Sequence, residues 1–261
     1  MLPLAVATRS LPGARPANED ELRAAAHDGR AWAVLSDGAG GHRGGAIAAD
    51  LVARLTALEL QSNRQLTPQR LDALLREVHE AVLARQREAA AQREGDRMHA
   101  TAVALWIDGS THTALWSHVG DSRLYVLRGG RVAHVTRDDS VVQEMVDAGF
   151  LAPDEARRHP RKNQLLRSMG VAEGFAPHTL RKPWPVRDGD AFLLCSDGWW
   201  DPLPDDAVAG TLREAASADD WLARMERLVI AAAQPQQDNF SAVALWVGDP
   251  RQATVIQDAD R

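Results

Sequence analysis

Cysteine is nearly missing from this 261-residue chain. Cys195 stands alone, which excludes an intramolecular disulfide and with it a disulfide-stapled scaffold. A reducing compartment, the cytoplasm, is the expected setting. Long apolar runs are missing too. No window reaches the roughly 18 uninterrupted apolar residues of a membrane span. The opening Met-Leu-Pro-Leu-Ala-Val-Ala-Thr-Arg has no basic stretch ahead of a short apolar run, so neither a membrane anchor nor a signal peptide is expected. Lysine is confined to Lys162 and Lys182. Positive charge as a whole is the scarcer sign, 30 Lys+Arg against 36 Asp+Glu for a net −6. That argues against a life on nucleic acid or anionic lipid. The one basic run, Arg157-Arg158-His159-Pro160-Arg161-Lys162, lacks interleaved aromatics for base stacking.

What remains is an ordinary globular composition, 45% hydrophobic and 25% charged, long enough to bury a substantial core. Residues 31–36 are a short apolar run that ends in Asp37-Gly38 and reads as a buried strand meeting a turn. Helical spacing of Ile47, Leu51, Leu55 and Leu58 predicts a helix over 45–60. Thr67-Pro68 opens a second, with an apolar stripe at Leu71, Leu74, Leu75, Val78 and Val82 and a solvated tail to about residue 94. Residues 100–107, 113–119, 122–128 and 132–135 read as a strand meander, with turns at Gly109 and Gly129-Gly130. A helix over 140–148, a strand over 190–196, a helix around Trp221–Val229 and a strand over 241–247 follow. Strands grouped in hairpins and helices in pairs predict a single α+β layered domain rather than a Rossmann fold or a TIM barrel. Residues 1–248 form that domain, and 249–261 a polar C-terminal tail.

Several familiar motifs fail. Gly40 to Gly45 has the spacing of a phosphate loop, but Ala46-Ile47 follows where Lys-Ser/Thr is required. A dinucleotide fingerprint from Gly38 would need glycine at Arg43. A cysteine phosphatase loop would need arginine at Asp201, and no Cys or His cluster has zinc spacing.

Carboxylates carry the stronger pattern. Asp37 and Asp197 each end a strand, preceded by Ser and followed by Gly. Asp121 sits between two strands, and Asp238 stands just before one. Any single Asp-Gly reads as a turn; four sites in matching context do not. Strand ends are rigid platforms, and a following glycine lets backbone approach a ligand. Carboxylates gathered there repel one another unless hard divalent cations intervene, and an oxygen-only donor set suits Mg²⁺ or Mn²⁺.

In the order of these motifs the chain resembles the metal-dependent type 2C protein serine/threonine phosphatases in their bacterial form. The resemblance runs through Arg15-Pro16-Ala17-Asn18-Glu19-Asp20, Ser36-Asp37-Gly38-Ala39-Gly40-Gly41-His42, Thr101 and Val119-Gly120-Asp121-Ser122-Arg123. It continues through Asp139-Ser140, the stretch His159 to Arg167, Cys195-Ser196-Asp197-Gly198 and Asp238-Asn239. It implies a four-layer α-β-β-α sandwich, a central antiparallel β-sandwich flanked by helices, with metals in a cleft at one end.

It also implies roles. Asp37 bridges two ions, with the Gly38 carbonyl on one of them, and Asp197 and Asp238 ligate the other. Glu19 and Asp20 hold waters or orient the shell. Asp121, with Asp197, makes a weaker third site. Arg15 grips the substrate phosphate, and residues about 139–168 form a flap beside the cleft. His42 is a candidate substrate-binding residue, with packing as its alternative. Ala39 replaces the histidine of animal members, so the leaving-group proton must come from water or another side chain. Asp139 replaces a histidine common in bacterial relatives. Trp199-Trp200 is expected to shape the cleft wall.

The expected reaction is hydrolysis of phosphoserine and phosphothreonine on proteins, with two or three Mn²⁺ or Mg²⁺ ions and direct attack of a metal-bridging water. The expected partners are phosphorylated proteins and an opposing serine/threonine kinase, with no nucleic acid and no membrane, and the protein acts as a monomer. The rival is a non-catalytic phosphoprotein-binding module on the same fold; retention of Asp37, Asp197 and Asp238 argues against it.

Overall fold

The computed structural model describes residues 2–39, 43–91, 97–233 and 235–249. In chain order come β1 (Leu4–Leu11), β2 (Asp20–His27), β3 (Arg30–Ala39), α1 (Arg43–Ser62) and α2 (Pro68–Ala91). The meander follows as β4 (His99–Ala100), β5 (Ala102–Asp108), β6 (Thr113–Val119), β7 (Arg123–Arg128) and β8 (Arg131–Val135). Then come α3 (Val141–Asp147), α4 (Pro153–Ala156), β9 (His178–Thr179), β10 (Trp184–Pro185) and β11 (Ala191–Cys195). The chain closes with α5 (Asp197–Trp200), α6 (Asp205–Glu214), α7 (Ala218–Ala231) and β12 (Phe240–Val247).

Two sheets face each other. One has the order β1-β12-β11-β7-β8; the other runs β10-β6-β5-β3-β2, with β4 on β3 and β9 on β6. The named pairings are all antiparallel. Period-2 alternation of side chains makes the layers. From β5, Val103, Leu105 and Ile107 enter the core between the sheets. Its alternate residues Ala102, Ala104 and Trp106 pack outward against α1 and α2. From β12, Val243, Leu245 and Val247 face inward, while Ala242, Ala244 and Trp246 meet the helices α5–α7. Three buried clusters thus separate four layers, α-β-β-α, as expected. Each large apolar side chain buried this way contributes about 1.5–3 kcal/mol.

Local signals set the helix ends. Thr67 Oγ1 accepts from Arg70 N at 3.2 Å and caps α2, with Pro68 at the first position. Ser217 caps α7 by accepting from Asp220 N. The expected strand over 100–107 is broken at Thr101, whose N–H donates to Asp37 O at 2.8 Å.

Four strands, β1, β2, β9 and β10, go beyond the periodicity reading. β1 pairs with β12 over its whole length. β2 carries Ala24-Ala25-Ala26, good helix formers, yet lies extended because Leu22, Ala24 and Ala26 pack against the inter-sheet core. The helices α4, α5 and α6 go beyond that reading too. No helix of the described residues is long and apolar enough to cross a membrane.

Candidate functional site

Asp28-Gly29 closes the β2–β3 hairpin with φ of 50° and 72°, the left-handed pair that suits a two-residue turn. From that turn the register pairs His27 with Arg30 and, at the far end, Asp20 with Asp37. Two carboxylates therefore meet across one hairpin. Asp197 opens α5 directly after β11, and Asp238 precedes β12, the strand beside it. Asp121 lies in the β6–β7 turn, where Gly120 takes φ 97°. A side chain there would press into Thr101 Cγ2 at 2.7 Å. All of these carboxylates except Asp20 line one cleft of about 660 Å³. Glu19, Gly38, Ala39, Thr101, Asn163 and Leu165 line it as well. Asp20 is buried just beneath.

Short hydroxyls hold these groups. Thr101 Oγ1 accepts from Asp37 N at 2.9 Å and bonds Ser122 Oγ at 2.7 Å. Ser196 Oγ donates to Asp20 Oδ2 at 2.8 Å and accepts from Ser241 N at 3.0 Å, tying β2 to the opposite sheet. Asn239 works at the junction. Its Oδ1 accepts from Glu19 N, and its amide donates to Pro12 O and Ala17 O, each at 2.9 Å. That fixes the loop bearing Arg15 against Asp238, whose Oδ2 accepts from Arg15 Nη2 at 2.7 Å. Both partners are partly exposed, 53% and 37%, so the pair is weak and exchangeable.

The electrostatics follow from crowding. Burial, then the charges of Asp20, Asp197, Asp121 and Asp238, hold Asp37 well above the usual carboxylate range. Burial and then Asp238 and Asp20 push Asp197 to about 7. Asp20 is raised to about 6 by burial, although the Ser241 and Ser196 hydroxyls oppose the shift. Burial and Asp197 raise Asp121 strongly. Carboxylates crowded side by side resist ionisation, and a bound cation would relieve that repulsion.

The donor set fits hard divalent ions. It is all oxygen. Asp20 Oδ1 is buried without a hydrogen-bond partner, an acceptor left over on the carboxylate paired in register with Asp37. Gly38 and Gly45 stand so close that a methyl on Gly38 would meet the Gly45 carbonyl oxygen at 2.6 Å, and one on Gly45 would collide with Glu19 Oε2. Backbone as well as carboxylate therefore approaches the cleft. Among the described residues no three His, Cys, Asp or Glu groups close into a ready cage.

Arg15, Glu19, Asp37, Gly38, Asp121, Asp197 and Asp238 are thus brought to one cleft. His42 lies outside the described residues, as do 250–261 of the tail. The two tryptophans depart from expectation. Trp199 is fully buried in the core with Phe240. Trp200 lies under the Arg123 guanidinium, 3.5 Å from its ring centre, and donates Nε1–H to Asp121 O at 2.9 Å. Neither lines the cleft; Trp200 braces the backbone of Asp121 instead. Thr101, Ser196, Ser241 and Asn239 had no role read from sequence. The hydrogen-bond partners of small polar residues sit far away in the chain and leave no local signal.

Comparisons with known proteins point to one family. The family model for protein phosphatase 2C matches residues 14–238. "Serine/threonine protein phosphatase PstP" of Mycobacterium tuberculosis is 35% identical over 250 residues, 95% of this chain and 46% of the relative. This chain therefore spans about half the length of that relative. "Serine/threonine phosphatase stp" of Listeria welshimeri is 30% identical over 195 residues, 74% of this chain and 76% of the relative. A crystal structure of the PstP catalytic domain in complex with two manganese ions superposes with a TM-score of 0.81 at 30% identity, covering 95% of this chain and all of that one.

Proposed function

The chain belongs to the protein phosphatase 2C family, and we propose that it hydrolyses phosphoserine and phosphothreonine on proteins with Mn²⁺ or Mg²⁺ in the carboxylate cleft. The observation that carries this reading is the convergence of Asp37, Asp121, Asp197 and Asp238 with Arg15 on one cleft. The manganese in the PstP structure supports it. Asp37, the Gly38 carbonyl, Asp197 and Asp238 would hold two ions, Glu19 and Asp20 would orient the shell, and Asp121 would serve a third. When bound, such ions activate water for in-line attack and neutralise phosphate charge.

The chain's own residues do the rest. Arg15 exchanges Asp238 for the substrate phosphate, which a guanidinium grips through two parallel hydrogen bonds. Asp37 and Asp197, well placed at strand ends, keep their positions through turnover. Ala39 carries no proton, and no histidine is among the described residues lining the cleft; the leaving alkoxide takes its proton from water or from another side chain. Burial holds the Cys195 thiol far above its ordinary range, and it takes no part.

A second groove of about 760 Å³ adjoins the cleft and shares Arg15, Asn163, Asp197 and Asp238 with it. Arg157 and Lys162 stand on its rim, in the flap over 139–168, and Lys162 is ion-paired with Asp201. That groove gives room for a polypeptide beside the phosphate, which favours proteins over small phosphoesters. We expect phosphothreonine peptides with acidic flanks to show higher kcat/KM than basic ones. The variant Arg157→Ala/Lys162→Ala should lose about fivefold on acidic peptides, the scale of two exposed charge pairs, and much less on p-nitrophenyl phosphate. Equal losses on both would count against a peptide-binding rim.

The phosphoesters it removes are made by a serine/threonine kinase, and we infer a cytoplasmic monomer that opposes one. The decisive test is hydrolysis of p-nitrophenyl phosphate and a phosphothreonine peptide with Mn²⁺, with EDTA, and by Asp197→Ala. Activity with Mn²⁺ that EDTA and Asp197→Ala abolish is expected. Activity indifferent to EDTA would refute the metal mechanism, and none with any divalent ion would favour a binding module.

A further inference from the structure

Asp139 is a buried carboxylate outside the proposed ligand set, its side chain 1% exposed. Its Oδ1 accepts from Arg167 Nη1 and bonds His178 Nε2, both at 2.8 Å. Its Oδ2 accepts from Gly120 N at 3.2 Å, and its own N–H donates to Gly120 O at 2.9 Å. Its carbonyl accepts from Leu166 N at 2.7 Å. Next to it, Ser140 bridges to Leu165, and Val141 N donates to Gln164 O at 2.9 Å. One residue thus joins three segments that are distant in sequence: the Gly120-Asp121 turn, the stretch 164–167 and β9.

Two of those segments face the cleft. Asp121 and Leu165 both line it. The Asp121 turn is gripped from several sides. Thr101 crowds Gly120, Trp200 holds the Asp121 carbonyl, and Asp139 takes both polar groups of the Gly120 backbone. A structural role alone explains this poorly. Apolar packing would do as well for stability, because burying a carboxylate costs several kcal/mol before its partners restore it. A buried charge with fixed partners is better suited to holding a register. Burial would lift this carboxyl, but the bonds from His178 and Arg167 hold it below the usual range, so it stays charged.

We propose that Asp139 is a positioning residue that sets Asp121 and the cleft wall at 163–167 in fixed relation to each other. The proposal rests on the reading of the cleft as an ion site. It predicts that Asp139 governs ion binding through Asp121 and peptide binding through Arg167 and Leu166. Outer partners of metal ligands change ion affinity by about 10- to 100-fold.

The test is calorimetric Mn²⁺ titration of the whole chain, with melting temperature read alongside. Asp139→Ala should weaken the weakest Mn²⁺ step about tenfold, at the low end of that range. In an Asp121→Ala background the same change should have little further effect on Mn²⁺ binding. Arg167→Ala keeps the Gly120 bonds, so its Mn²⁺ isotherm should stay near wild type while its peptide KM rises. If Asp139→Ala does not fold, Asp139→Asn keeps shape and one acceptor and should still weaken that step measurably. A wild-type isotherm from the folded Asp139 variant would overturn the proposal. So would an equal loss with and without Asp121, or an Arg167→Ala loss as large as that of Asp139→Ala. A wild-type chain that binds no Mn²⁺ would overturn the parent reading and this proposal together. Mn²⁺ binding by wild type with no Asp139 effect overturns the proposal alone.

Discussion

Asp37→Asn should lower Mn²⁺-dependent phosphoester hydrolysis by at least about a thousandfold, about 4 kcal/mol of transition-state stabilisation, and at the same time stabilise the metal-free protein. The two effects share one cause. Asp37 lies near the end of β3 in the cleft wall, opposite Asp20 in the hairpin register. Burial disfavours its charge, and Asp20, Asp197, Asp121 and Asp238 disfavour it further. Divalent ions need that charge; the metal-free fold is strained by it. Asparagine keeps the shape and removes the charge. At pH 8 in EDTA the variant should melt several degrees higher than wild type, since about 1 kcal/mol is worth about 2–4 °C in a chain of this size. With Mn²⁺ the order should reverse. An active variant, or one that melts lower than wild type in EDTA, would show that Asp37 does not sit in a crowded ion site.

The second large effect is on stability against pH. Asp197 is raised to about 7 and Asp20 to about 6, both from about 3.8. A carboxyl whose folded value lies above its unfolded value binds its proton more tightly when folded. The stability it contributes is complete below about pH 4 and is lost as pH rises through 6 to 7. The metal-free protein should therefore lose melting temperature between pH 5 and pH 8. One unit of such a shift is worth about 1.4 kcal/mol. Divalent ions bind the ionised carboxylates and displace their protons, so Mn²⁺ should stabilise far more at pH 8 than at pH 5. Occupancy at a hundred times Kd contributes about 2.7 kcal/mol per site. Scanning calorimetry with EDTA and with Mn²⁺ across this window reads both slopes. A metal-free melting temperature that rises from pH 5 to pH 8 would contradict the clustering.

Much of this was legible because it is local. Leu71, Leu74, Leu75, Val78 and Val82 line one face of α2 and are all buried. β6 spans the residues its pattern predicts. Asp37, Asp121 and Asp197 could be picked out because strand end, serine and glycine lie within one or two positions of one another, and Asp238 because it stands two residues before a strand. Even the Asp20–Asp37 pair was within reach. Asp28-Gly29 is a hairpin turn signal, and counting outward from it brings residue 20 opposite residue 37. The alanines of β2 masked it, since their preference is helical and only burial against the inter-sheet core draws them out straight.

The supports of the site were not legible. Ser196 reaches Asp20 over 176 positions, Asn239 reaches Glu19 over 220, and Arg167 reaches Asp139 over 28. Hydrogen bonds of that span depend on which strands neighbour one another, and nothing in a window of ten residues reports that. The same holds for Trp199 and Trp200, adjacent in sequence yet given to different tasks by the turn of α5.

The sequence by itself determined the chemistry available: acidic oxygens on strand ends, arginine in place of lysine, a single cysteine, and alternation that builds two sheets with helices outside. Only the tertiary structure decided which of the acids crowd together, how far their protons are held, and that Asp139 stands behind Asp121. The physical reason is that charge and hydrogen bonding act through distances in space. Those distances are set when β2 closes on β3 and β12 closes between β1 and β11, across the whole length of the chain.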